Sequence, residues 1–325
     1  MKKLLMIAAA ALAMASCSNT QQYKVAVLFP DAESDGQTAY LTSYDSGDTL
    51  AQAEIKNKNA VLEGEVEGSF MARLVVDGKR MGFIVEGGEI TIKWEEGEAK
   101  GTALNEKLNA LDAELNKVED EAAQVAIFQK AYLENKDNGI GPWAFNYYLM
   151  CNDFTVAQID SMLTALPENY KTLKRVNKAI SDAKAKEATG VGKQFTDFAN
   201  DKGEKLSQFA GQGKYCLVDF WASWCGPCRK EIGNIKKLYA KYSDKMNFVG
   251  IAVWDEDEAT VKAMEELQVV WPVIMNGKNW TVPTDLYGVS GIPHIMLIDP
   301  QGKIVKRGLQ EETLINAVEE LFAEK

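Results

Sequence analysis

Tyr215-Cys216-Leu217-Val218-Asp219-Phe220-Trp221, followed after Ala222 and Ser223 by Trp224-Cys225-Gly226-Pro227-Cys228-Arg229, decides how the C-terminal part of this chain folds. The first seven residues are apolar apart from Asp219, which predicts a strand buried on both faces. The Cys-x-x-Cys that follows opens a helix running past Leu238. Residues three apart share one helix face, so the two cysteine Cβ atoms approach the roughly 4 Å that a disulfide needs. The first cysteine stands at the helix N-terminus, where unpaired N–H groups and the helix dipole stabilise a thiolate. Cys225 is therefore expected to be the exposed nucleophile. Cys228, one turn deeper, is expected to be the resolving thiol. Pro227 costs no helix hydrogen bond in a first turn.

Other uses of the pair fit poorly. A c-type haem site needs His directly after the second cysteine, and Arg229 stands there. A structural zinc site needs two more ligands, and the chain has neither a second Cys pair nor a Cys-His pair. A purely structural disulfide leaves the strand, the two tryptophans and the helix start unexplained. No metal and no nucleotide cofactor is called for.

The rest of this segment alternates strand and helix. A strand is expected over Phe248–Val253, a helix over about Glu256–Leu267, and a strand over His294–Ile298. A turn at Gly302 precedes Ile304-Val305, and Leu314, Ile315, Val318, Leu321 and Phe322 mark a closing amphipathic helix. The order β-α-β-α-β-β-α predicts an α/β domain with a mixed central sheet covered by helices, over residues 190–325.

Val218 to Arg229 resembles the active-site segment of thioredoxin. With the Phe195–Phe209 hairpin before it and Arg229-Lys230-Glu231 after it, the segment is similar to the TlpA/ResA-like branch of extracytoplasmic thioredoxin-like proteins. The resemblance implies a thioredoxin-like fold and thiol–disulfide exchange. It matches Asp219 to a buried acid beneath the dithiol, which would take the proton of Cys228; the alternative is a carboxylate that caps a neighbouring N–H. Glu231 matches an acid that tunes the pair in that branch, or is a solvated acid on the helix face. Gly291-Ile292-Pro293-His294 resembles the cis-proline loop, with Pro293 packed against the cysteines and the backbone of Ile292 pairing with an extended client strand. Trp224, Gly226 and Pro227 complete the expected client contacts. His294, the only histidine, departs from the Thr usual there; it tunes Cys225, senses pH, or is a strand-start residue with a satisfied ring. Cys151 and Cys216 are expected to be inert.

Upstream, 325 residues exceed one ordinary domain. Lys2 and Lys3 followed by the apolar Leu4–Ala15 form a targeting segment, residues 1–17. Leu12-Ala13-Met14-Ala15-Ser16-Cys17 resembles a bacterial lipobox, with Cys17 the lipidated first residue of the mature chain; a plain secretory signal is the alternative. The absence of an acidic cluster after Cys17 points to a periplasm-facing anchor. In such a compartment structural disulfides are permitted, yet only one cysteine pair is closely spaced. Residues 23–100 read as a small antiparallel β domain: Phe70, Ala72, Leu74 and Val76 alternate before an Asp77-Gly78 turn, and Ile90, Ile92 and Trp94 alternate after Gly87-Gly88. This part resembles the domain of unknown function that precedes thioredoxin domains in Bacteroidetes lipoproteins.

Residues 103–187 read as a helical segment. Leu104, Leu108, Leu111, Leu115 and Val118 form one stripe packing within the chain, and Thr155 with Gln158 fits a capping box. The run Trp143, Phe145, Tyr147, Tyr148 is core or a peptide surface. A net charge of −11 argues against a nucleic-acid surface. The expectation is a lipid-anchored envelope protein that reduces disulfides of client proteins and is recharged by a membrane donor of the DsbD/CcdA kind. Its rivals are an oxidase or isomerase using the same pair, a thiol peroxidase, whose own loop motif is not found, and a non-catalytic binding or scaffold lipoprotein.

Overall fold

The computed structural model describes residues 20–323. Their contacts divide them into one unit of residues 20–152 with 166–175 and a second of residues 153–165 with 176–323. Cys17 lies outside the described residues.

The first unit carries strands β1 (Thr20–Leu28), β2 (Thr38–Ser43), β3 (Thr49–Glu54), β4 (Asn59–Glu67), β5 (Ser69–Val76), β6 (Lys79–Glu86), β7 (Gly88–Lys93) and β8 (Glu98–Lys100). They form two four-stranded sheets, ordered β4-β1-β7-β8 and β3-β2-β5-β6. Neighbours run antiparallel, with β1 and β7 the parallel exception. Strand alternation fixes what each sheet buries. Ala72, Leu74 and Val76 of β5 and Phe83 and Val85 of β6 share one core with Val25, Val27, Ile90 and Ile92 of the other sheet. Between β5 and β6, Asp77 and Gly78 both take positive φ, 47° and 75°, the conformation a two-residue hairpin loop requires.

The opposite parity, Met71 and Ile84, packs against Leu104, Leu108 and Leu111 of α1 (Ala103–Leu115). The predicted leucine stripe is thus an internal contact. Helices α2 (Glu121–Glu134) and α3 (Ile140–Met150) pack the aromatic run: Phe145 and Tyr148 are buried, Tyr148 lying 5.3 Å from Tyr132, whereas Trp143 and Tyr147 are half-buried, Tyr147 stacking on Phe128 at 5.0 Å. One polar residue closes the edge of β6. Asn105 of α1 is buried, accepts the Ile84 N–H on Oδ1 at 2.9 Å and donates from Nδ2 to the Ile84 carbonyl at 2.8 Å.

The expected helical segment is present as a run of helices from Ala103 to Ala188 with no strand among them, and it is shared between the two units. Helix α4 (Val156–Thr164), opened by the Thr155–Gln158 capping box, belongs to the second unit, as does α5 (Lys174–Ala188) from Val176 onward. Helical periodicity identifies an apolar face, and says nothing of which neighbour covers it.

The second unit continues through β9 (Tyr215–Trp221), α6 (Gly226–Tyr242), β10 (Met246–Ala252), α7 (Asp257–Leu267), β11 (Val273–Ile274), α8 (Val282–Tyr287), β12 (His294–Ile298), β13 (Ile304–Leu309) and α9 (Glu311–Phe322). The sheet order is β11-β10-β9-β12-β13. Strand β9 pairs parallel with β10 and antiparallel with β12, so it lies at the centre. This is the mixed sheet expected, extended by β11 and α8, which are too short to show a period. Leu217 and Trp221 pack on one face with Cys228, Ile232 and Ile235 of α6 and with Leu314 and Val318 of α9. Cys216, Val218 and Phe220 pack on the other with Phe198, Leu206, Trp280 and Tyr287. The same parity sends Asp219 to the α6 side.

Asn105 supplies the first test. Asn105→Leu keeps the volume and strands both backbone groups of Ile84, each at about 1–3 kcal/mol. Denaturant unfolding should show that loss; an unchanged midpoint would mean the amide does not hold the edge.

Candidate active site

Helix α6 begins where β9 has delivered the chain to the end of the sheet. Cys225 is its N-cap, and the Cys228 backbone N–H points at the Cys225 sulfur, 3.2 Å away. Gly226 and Pro227 form the exposed first turn. The two cysteines are joined in a disulfide, with Cα atoms 5.3 Å apart. Cys228 has no exposure, and Cys225 retains 4%. Cys225 is the more accessible of the two, as expected, yet its sulfur is largely covered. The reason is the Ile292–Pro293 loop: the peptide between these residues is cis, and the Ile292 carbonyl oxygen lies 3.8 Å from Cys225 Sγ. With no S–H in the disulfide, this approach is a packing contact. Pro293 is buried and Ile292 half-buried, packed against the α6-side core.

Beside the pair, Trp224 is 60% exposed, its indole Nε1 donating to the Trp254 carbonyl at 2.9 Å. The loop that carries it is held by a residue the sequence reading passed over. Asp255, buried just past β10, accepts the Ser223 N–H at 2.6 Å, the Ser223 hydroxyl at 2.9 Å and the Thr260 hydroxyl at 2.9 Å. The signal was an Asp between a buried strand and a helix start, a common N-cap pattern whose reach back to Ser223 is tertiary.

Two neighbouring acids are buried on the α6 side of the sheet. Asp219 is 2% exposed, and its Oδ1 has no hydrogen-bond partner among the described residues. Burial, with the neighbouring Glu231 carboxylate adding to it, pushes its pKa up to about 8, because desolvation and a like charge both disfavour the ionised form. Oδ1 therefore caps no N–H, which favours the proton-accepting role over the cap. Glu231 is 3% exposed, so it is not a solvated helix-face acid either. Its Oε1 accepts from Asn234 Nδ2 at 3.1 Å and its Oε2 from the Glu311 N–H at 2.9 Å.

His294 points the other way. Its ring lies 6.0 Å from that of Phe220, on the face opposite Asp219. Nε2 stands 3.2 Å from Arg307 Nη2; a guanidinium only donates, so the imidazole accepts there and carries its proton on Nδ1. Burial first, then Arg307 and Lys186, lowers its pKa to about 4. His294 stays neutral across the physiological range, which favours the satisfied ring over the pH sensor. Of the remaining cysteines, Cys216 is buried, with burial pushing its thiol pKa up, whereas Cys151 is exposed rather than packed.

The fold and this dithiol site define a thioredoxin-like oxidoreductase, and comparison with known proteins agrees. Residues 191–307 match the AhpC/TSA family, and residues 23–108 match a domain of unknown function, DUF4369. The thiol–disulfide oxidoreductase ResA of Bacillus thuringiensis is 30% identical over 131 residues, 39% of this chain and 75% of that protein. ResA of Bacillus subtilis is 30% identical over 138 residues, 40% of this chain and 75% of its own length. Among solved structures, the thioredoxin domain of a thiol–disulfide oxidoreductase from Bacteroides vulgatus is 33% identical, with a TM-score of 0.37, covering 41% of this chain and 97% of that one. The chain belongs to the ResA-type thiol–disulfide oxidoreductases.

The raised pKa of Asp219 has a measurable sign. In the unfolded chain the group ionises in the usual carboxylate range; in the folded protein it keeps its proton until about pH 8. Its contribution to stability is therefore fully present below the unfolded pKa and is lost as pH rises through the folded one. The unfolding free energy of the oxidised protein should fall between about pH 4 and about pH 8, and Asp219→Asn should flatten that fall. Parallel wild-type and variant curves would show that Asp219 is not the group titrating.

Proposed function

We propose that the protein reduces disulfides in client proteins of the cell envelope, with Cys225 as nucleophile and Cys228 as resolving thiol. The observation that carries this reading is the Cys225 sulfur at the N-cap of α6, receiving the Cys228 N–H and retaining the only exposure in the pair. Backbone N–H groups and the helix dipole at that position stabilise sulfur as an anion. In the first step the Cys225 thiolate attacks one sulfur of a client disulfide; a mixed disulfide forms and the other client sulfur leaves as thiolate. In the second, Cys228 loses its proton to Asp219 and attacks Cys225 Sγ, which releases the second client thiolate and leaves the enzyme oxidised. A carboxyl kept neutral in the oxidised protein is what that proton transfer leaves behind. Glu231 serves by its charge, raising the proton affinity of Asp219.

The client is read as an extended segment docking on the Ile292 backbone beside Pro293, with Trp224, Gly226 and Pro227 as the facing surface. The exposure of Trp224, Gly226 and Pro227 supports this. The reducing direction is supported by the Gly226-Pro227 spacer, which resembles that of reducing members; in this reading a membrane donor of the DsbD/CcdA kind returns two electrons to the disulfide. The anchor is proposed to be a lipid on Cys17, holding the protein on the periplasmic side. No helix among the described residues is long and apolar enough to cross a membrane.

Cys228→Ser tests the assignment of the two thiols. Attack by Cys225 survives, resolution does not, and mixed disulfides with clients should accumulate and vanish on reduction, while Cys225→Ser yields none. Mass spectrometry of the adducts identifies the clients; equal adducts from both variants would reverse the roles. Cys17→Ser should release the protein from membranes and abolish acyl labelling while dithiol activity remains, and continued membrane association without lipid would rule out the anchor.

A further inference from the structure

Two residues at the start of α9 reach both sides of the site. Gln310, the N-cap of α9, donates from Nε2 to the Pro293 carbonyl at 3.1 Å. Glu311, the next residue, donates its backbone N–H to Glu231 at 2.9 Å. The chain accommodates both through an unusual conformation, for Glu311 has φ +49°. A side chain larger than glycine seldom occupies this region, and one that does is held there by its surroundings. The turn directs the Gln310 side chain to the Ile292–Pro293 loop and the Glu311 N–H to Glu231.

An N-cap alone does not need these contacts. The Gln310 backbone already closes the first turn with Thr313, its N–H donating to Thr313 Oγ1 at 3.0 Å and its carbonyl accepting the Thr313 N–H at 3.0 Å. A shorter Ser or Asn would cap the helix as well and would fall short of Pro293. The ion pair of Glu311 with Lys230 lies largely in solvent and explains little of the conformation.

We propose that Gln310 is a positioning residue for client binding: by fixing the Pro293 carbonyl it holds the Ile292–Pro293 loop in register for an incoming client strand. Glu311, in its left-handed conformation, sets the turn that makes this reach possible and at the same time fastens Glu231. The inference deepens the proposed exchange at Cys225 and rests on it. Its chemical content is that the loop's client-facing edge is fixed from behind by an amide donor, so a client that pairs with backbone depends on Gln310. A small disulfide that only needs the sulfur of Cys225 does not.

The test uses the full chain, kept reduced by dithiothreitol, with insulin as protein disulfide and hydroxyethyl disulfide as small one. Gln310→Ser keeps a capping oxygen and loses the reach; Gln310→Glu keeps the length and loses the donor. Both should raise KM for insulin about five- to tenfold, the worth of one hydrogen bond, with kcat and the hydroxyethyl disulfide rate unchanged. Glu311→Gly, which keeps the N–H and favours the left-handed backbone, should match the wild type on both substrates. An unchanged insulin KM in both Gln310 variants overturns the proposal. An equal loss on both substrates also overturns it, since that marks a cap and nothing more. Failure of the exchange reading is distinguished by the wild type itself, which would then reduce insulin no better than Cys225→Ser.

Discussion

Placing Asp219 in the middle strand of a sheet covered on both faces is the constraint around which this domain is arranged. A carboxylate in that position loses its hydration and gains no hydrogen bond for Oδ1; the protein resolves the conflict by holding the group protonated. That solution needs β9 at the centre, α6 laid over the same face, and a second acid close enough to keep the proton from leaving early. Each element serves it. β10 and β12 flank β9 and seal its edges, and α9 completes the cover while its first N–H satisfies Glu231.

The dithiol chemistry then follows from position. The chain leaves β9 at Trp221, turns through a loop tied to Asp255, and enters α6 at Cys225. One turn of helix is enough to grade the two sulfurs, Cys228 sealed and Cys225 reachable at one side. The disulfide, the Ile292 carbonyl and Trp224 are thereby gathered from three separate stretches of chain. Only the cysteines carry the electrons; in the proposed exchange the rest selects the client and takes up the proton.

The chemistry-bearing part of this site was legible because it is local. A buried strand, a tight loop and Cys-x-x-Cys opening a helix occupy fourteen consecutive positions from Tyr215 to Cys228, and spacing alone places both sulfurs on one helix face. Asp219 was legible as the one charge in an apolar run. Glu231 was ambiguous, because its burial depends on the start of α9, 80 residues further on. Asp255 carried a local N-cap pattern without its reach back to Ser223, and Gln310 and Arg307 act through contacts across the fold and leave no pattern in their own neighbourhood. The same limit explains the helices between the domains: their apolar faces were visible, and their partners were not. β11 escaped notice because two residues show no alternation, and the parallel pairing of β1 with β7 joins segments more than sixty residues apart.

Asn105 has a consequence beyond the energy of its two hydrogen bonds. β6 is a border strand, and at Ile84 its outward N–H and carbonyl are the groups on which a strand from another molecule would dock. The amide of Asn105 presents a donor and an acceptor side by side and occupies both groups of Ile84. The sheet is thus terminated by a side chain imitating one more residue of strand. A border closed in this way does not recruit its neighbours into a growing sheet.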